Sequence, residues 1–127
     1  MAEAPRHGII IWNELNTPDP EAARAFYEKM FGWSFSPFPM EQGEYWTIRH
    51  GDKDIGGLFP LTAPEFSGIP AHWLTYVAVD DVDAQVAAAV AAGGTVAKAP
   101  FDIPGVGRLA IVQDPTGAHM GWLTPRM

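Results

Sequence analysis

The sequence predicts an α+β protein made of two βαβββ modules, and three observations point to it. Short runs rich in β-branched and aromatic residues alternate with two capped helical stretches in the order strand, helix, three strands, and that order occurs twice. A shift of 62 residues superposes the helix punctuation, placing Asp19 on Asp81, Glu21 on Asp83, Ala22 on Ala84 and Gly32 on Gly94. The chain has 127 residues, 47% of them apolar and 18% charged, with five Trp, three Tyr and seven Phe, which supplies core for one domain and excludes disorder.

Residues 1–7 are polar, contain Pro5 and read as a flexible N-terminus. Gly8 to Asn16 is the first strand, stopped by Thr17-Pro18-Asp19-Pro20, where Asp19 is placed to cap a helix and Pro20 to open it. Ala23, Phe26, Tyr27, Met30 and Phe31 recur at the spacing of one buried helical face, and Gly32 closes it. Strands follow at Trp33–Phe38, Glu44–His50 and Asp54–Leu61, with turns at Gly43 and Gly51-Asp52. Module one therefore covers 8–61, and residues 62–71, with Pro64, Gly68 and Pro70, form a linker. Module two, 72–124, opens with the strand His72–Val79. Asp80 or Asp81 caps a helix whose narrow apolar stripe is Val82, Val86, Ala89 and Val90, and Gly93-Gly94 ends it. Thr95–Phe101, Arg108–Gln113 and His119–Thr124 complete the set, the last two joined by a tight turn at Asp114-Pro-Thr-Gly117. Two such modules hide their open sheet faces by curling around a shared cavity or by meeting a second chain.

Composition narrows function. A net charge of −7 leaves no basic surface for nucleic acid or an anionic membrane. The absence of cysteine excludes disulfides, a thiolate nucleophile and thiolate metal sites. The only early apolar run, Ile9 to Trp12, is too short for a secretory or membrane segment, so a cytoplasmic protein is expected.

The stretch from Asp19 to Trp33, reading Asp-Pro-Glu-Ala-Ala-Arg-Ala-Phe-Tyr-Glu-Lys-Met-Phe-Gly-Trp, resembles the vicinal oxygen chelate superfamily of glyoxalase I, bleomycin-resistance proteins, fosfomycin-resistance enzymes and extradiol dioxygenases. Ile55-Gly-Gly-Leu58, Val79-Asp-Asp-Val-Asp83 and Asp114-Pro-Thr-Gly117 support the match, which spans Gly8 to Leu123 within one domain, 8–123. Trp12, Glu14-Leu15, Trp73-Leu-Thr-Tyr76 and Pro104-Gly-Val-Gly-Arg108 resemble most the bacterial glyoxalase-like antigen group. The resemblance implies a cupped mixed sheet with helices on its outer face, completed by a homodimer. In metal-using members it implies ligands on the first and last strand of each module. The corresponding positions here are Trp12, Phe59, Leu74 and Gly121, none of which offers a suitable lone pair, so no metal and no cofactor are expected.

Polar groups near those positions become the candidates. Glu14, His72 and His119 each lie two residues from a lost ligand position, and period-2 alternation puts them on the cavity face as acid–base groups, as polar anchors, as a displaced metal set, or as ordinary hydrogen-bonded residues. Glu14 among aromatic walls suits a general base, or a structural partner for Tyr76 or an arginine. Trp12, Asn16, Trp46 and Tyr76 are the expected ligand-binding walls, with Trp12 and Trp46 also open to a packing role. Trp73 and Trp122 alternate to the opposite face, which favours packing. Arg108, on a hairpin over the cavity mouth, is a candidate for an anionic group, although its loop lacks the helix and Lys of a phosphate-binding loop. Together these predict a metal-independent, glyoxalase-like binding protein or enzyme for a small, partly aromatic metabolite. The alternatives are a sequestration dimer without catalysis and a lyase or isomerase with a displaced metal.

Overall fold

The computed structural model describes residues 7–39, 44–103 and 106–125. The expectations for residues 1–6, for the Gly43 turn and for Pro104-Gly105 lie outside them. The described elements are β1 (Ile10–Thr17), α1 (Pro20–Phe31), β2 (Ser34–Pro39), β3 (Glu44–His50), β4 (Lys53–Pro60), a 3₁₀ turn (Pro64–Phe66), β5 (His72–Ala78), α2 (Val82–Ala91), β6 (Thr95–Ile103), β7 (Gly107–Gln113) and β8 (His119–Pro125). This is the predicted α+β fold with its βαβββ order repeated.

Both helices start where their caps require. The Asp19 carboxylate accepts from the Ala22 N–H at 3.1 Å, Pro20 occupies the first turn, and Gly32 ends α1 at φ 71°, a left-handed conformation natural to glycine. Asp81 caps α2 in the same way through the Ala84 N–H at 3.2 Å, which selects it over Asp80.

The chain divides into two compact units, Trp12–Leu74 and a second formed by Thr75 onward together with the residues up to Ile11. The start of the chain joins the later unit because Gly8 donates to the Ala78 carbonyl at 2.7 Å and Ala78 donates to the Ile9 carbonyl at 2.9 Å. In the first unit the strand order is β2-β3-β4-β1, with β1 parallel to β4 and the other pairs antiparallel. The second unit repeats it as β6-β7-β8-β5, with β5 parallel to β8. Each parallel pair follows from the crossover that its helix provides.

Leu15, Leu58 and Trp46 are aligned across β1, β4 and β3, so they share one sheet face, and Ile48 lies on it two residues from Trp46. Leu15, Ile48 and Leu58 are buried there. In the second unit Val79, Val82 and Ala110 form the buried cluster, with Val86 and Trp122 packed against it. Trp73 meets the rings of Tyr27 and Trp33, at 5.7 and 6.3 Å between centroids. Both tryptophans thus pack against helical elements.

Two helix expectations are corrected. No residue of α1 is buried, and Phe26, Met30 and Phe31 are exposed. The helix meets its sheet through Ala23, Arg24 and Tyr27, which are half-buried, because the apolar arc of α1 is wider than the surface beneath it. On α2, Val90 is exposed and Gln85 takes a half-buried place beside Val86 and Ala89. No helix among the described residues is long and apolar enough to cross a membrane.

Candidate functional site

The opposite face of the first unit carries the polar groups. β1 turns Trp12, Glu14 and Asn16 to that side, since Leu15 between them enters the core. Glu14 and Asn16 are each only 6% exposed, unusual for a carboxylate and an amide on a strand. The Asn16 amide donates to the Glu14 backbone carbonyl at 3.4 Å. Glu14 pairs with Gly57 on β4, and Gly57 pairs with Thr47 on β3, so Tyr45, two residues before Thr47, shares their face.

Tyr45 is the residue that the sequence reading missed. Its hydroxyl accepts from the Trp12 indole N–H at 3.0 Å and donates to the Glu14 carboxylate. A Cβ placed on Gly57 would fall on the Tyr45 phenol, so glycine there is what lets the ring lie flat on the strand. The second unit repeats the arrangement: Tyr76 pairs with Gly121, and its own ring covers the space that a Gly121 side chain would take.

Burial pushes the Tyr45 phenol well above its ordinary value, and the neighbouring Glu14 charge adds to the effect, while the Trp12 hydrogen bond works against it. The phenol stays protonated in the fold at pH values where it ionises in the unfolded chain. Its stabilisation is therefore intact below about pH 10 and is lost as pH rises above that value, by up to about 1.4 kcal/mol per pH unit. Urea denaturation between pH 9 and pH 11 should show a steeper loss for the wild-type chain than for Tyr45→Phe. Equal slopes would refute a buried, neutral Tyr45.

The structure separates the remaining candidates. Trp46 lies on the helix side, with the Arg24 guanidinium 4.5 Å above its ring in a cation–π contact. The physical reason is register, since Trp46 aligns with core Leu58 and leaves Tyr45 on the Glu14 face. Arg108 is engaged by two carboxylates. Its Nε and Nη2 donate to the two Asp83 oxygens at 2.7 and 3.1 Å, and its Nη1 donates to Asp102 at 3.1 Å. This fork holds the Asp83 carboxyl below its usual range and keeps Arg108 fully charged but engaged with α2. His72 Nδ1 lies 2.9 Å from the Pro70 carbonyl, and His119 is exposed at the start of β8.

The metal positions implied by the resemblance can be tested on this register. The last-strand position of module one is Gly57 rather than Phe59, because Gly57 faces Glu14 as Gly121 faces Tyr76. With Trp12, Leu74 and two glycines at these places, and with Tyr45 and Tyr76 covering the glycines, the donor set does not fit a divalent cation. Among the described residues no group of three His, Asp or Glu is placed to hold a metal, which includes Glu14, His72 and His119.

Two units of identical strand order, each with a parallel first–last strand pair and a crossover helix, define a paired-βαβββ protein with its polar site beside the first strand. Residues 9–120 match the Glyoxalase/Bleomycin resistance protein/Dioxygenase superfamily, and the chain belongs to that family. It is 45% identical over 119 residues to the protein named "Putative glyoxylase CFP32" of Mycobacterium tuberculosis, covering 93% of this chain and 44% of that one. It is 33% identical over 123 residues to the anthracycline biosynthesis protein DnrV of Streptomyces peucetius, covering 87% of this chain and 45% of that one. The chain spans less than half the length of either relative. Among solved structures, methylmalonyl-CoA epimerase from Mycobacterium tuberculosis superposes with a TM-score of 0.65 at 15% identity, over 100% of this chain and 94% of that one. The Mn(II)-bound glyoxalase from Novosphingobium aromaticivorans superposes with a TM-score of 0.59 at 20% identity, over 95% of this chain and 40% of that one. At those identities the likeness establishes the fold alone.

Proposed function

We propose that this protein is a metal-independent, glyoxalase-like enzyme that binds a small, partly aromatic metabolite against the Trp12, Glu14, Asn16 and Tyr45 face of its first unit. The observation that carries this reading is the hydrogen-bonded series from the Trp12 indole through the Tyr45 hydroxyl to the Glu14 carboxylate. A carboxylate is costly to bury, and this one is oriented by a phenol that remains a donor at neutral pH. Glu14 then serves as acceptor for an acidic C–H or O–H proton of the ligand, Tyr45 fixes its position, and the Trp12 ring stacks on a planar group. Metal independence is supported by the donor set, in which indole, alkyl and hydrogen stand at the ligand positions. The names of two relatives, "Putative glyoxylase CFP32" and "Anthracycline biosynthesis protein DnrV", are in keeping with turnover.

The test is a thermal-shift screen of the purified chain against divalent metals and a metabolite set, run with and without chelator. A ligand at about 100 times its Kd contributes about 2.7 kcal/mol of stability, a plain rise in melting temperature. The expected result is a rise with a ring-bearing acid or ketone that chelator does not change. Stabilisation that needs a divalent metal would overturn the proposal.

A further inference from the structure

The Glu14 face ends in aromatic rings. Phe59 follows core Leu58 on β4 and pairs with Asn16 on β1, so its ring stands on the site side of the sheet, level with Asn16. Residues 62–71, between β4 and β5, bring a second ring to the same place. Phe66 meets Phe59 at 5.5 Å between centroids, with the two planes at 85°. Short-range bonds hold that ring where it is. Leu61 donates to the Thr17 carbonyl at 2.8 Å as the chain leaves the sheet, and Phe66, Ser67 and Ile69 donate to the carbonyls of Ala63, Pro64 and Phe66 at 3.0, 3.1 and 3.1 Å. Pro64 and Pro70 fix φ on either side of it. A ring pair made only for packing belongs with the core residues, whereas this one stands opposite to core Leu58. Both rings are half-buried, and an edge-to-face pair keeps ring surface on which a third ring can lie.

We propose that Phe66 is a specificity-determining residue of this site, closing its Asn16 end against Phe59 and restricting the ligand there to a single aromatic ring. The inference rests on the reading of Glu14 as the group that faces the ligand's acidic proton. Successive side chains on one face of a strand are about 7 Å apart, so Phe59, level with Asn16, lies about that far along the sheet from Glu14. A ring seated on the two phenylalanines therefore reaches Glu14 through a short carbon link. The Asn16 amide, at the same level as the rings, is a donor suited to a carbonyl in that link. The ligand class so defined is an aryl ketone with an acidic C–H, its ring at the Asn16 end, its carbon acid beside Glu14, and Trp12 on the far side of Glu14. A fused second ring would extend into the place that Phe66 occupies.

Equilibrium binding of three enolisable diketones tests it: acetylacetone, which has no ring, benzoylacetone, which has one, and naphthoylacetone, which has two fused rings. Each is measured by titration calorimetry, with chelator present, on the wild-type chain, Phe66→Ala and Phe66→Trp. The expected result is that the wild type binds benzoylacetone about tenfold more tightly than either of the others. Phe66→Ala should raise the affinity for naphthoylacetone relative to benzoylacetone about tenfold, and Phe66→Trp should bring benzoylacetone down towards acetylacetone. Ratios within one protein cancel any loss of stability that a variant brings, and the Trp variant keeps a ring against Phe59. Benzoylacetone binding with ratios that neither variant moves would overturn the role of Phe66 and leave the reading of Glu14 standing. A wild-type chain that binds none of the three would overturn both.

Discussion

Glu14→Gln is expected to lower turnover of the ligand found by the screen by about 10²- to 10⁴-fold while leaving its affinity within a few fold. Glutamine keeps the shape of the side chain and an amide oxygen that still accepts from the Tyr45 hydroxyl, so the buried hydrogen bond and the fold survive. It loses only the ability to take up a proton at neutral pH. Steady-state kinetics with a direct binding measurement separates the two quantities. Equal turnover in both proteins would remove Glu14 from the chemistry. Lost affinity with no turnover in either protein would instead identify a sequestration protein.

Gly57→Ala should destabilise the first unit by about 3 kcal/mol, combining overpacking with the loss of two buried hydrogen bonds. The added methyl would fall on the Tyr45 phenol, and the backbone beneath it is pinned between Glu14 and Thr47, so the ring has to leave. When it leaves, Trp12 loses its acceptor and Glu14 its phenol donor. Urea unfolding measures the loss, and Tyr45→Ala in the same chain provides the control. If the clash is the cause, the double variant is less destabilised than the two single changes added together. Strict additivity would mean that Gly57 matters for another reason.

Most of the fold was legible because its signals are local. Asp19, Pro20 and Gly32 define a helix by hydrogen bonds and φ angles within a few residues, and the strands of module two begin and end close to their turn residues. Register was legible only in part. Ile48 is plainly a core residue, and period-2 alternation from it puts Trp46 inward and Tyr45 outward. Arg108 could not have been read at all, because Asp83 lies 25 residues away and only the packing of α2 brings the fork together. The exposure of Phe26, Met30 and Phe31 was hidden for a related reason. Periodicity reports how wide an apolar arc is, not how much neighbouring surface exists to cover it.

The amino-acid order by itself determined the two capped helices, the twice-repeated βαβββ plan and the family, since each depends on residue type and short-range geometry. Tertiary structure decided which phenol stands beside Glu14 and which glycine makes room for it. Those depend on pairings between strands far apart in the chain, and shifting any one of them by a single residue turns every side chain to the other face.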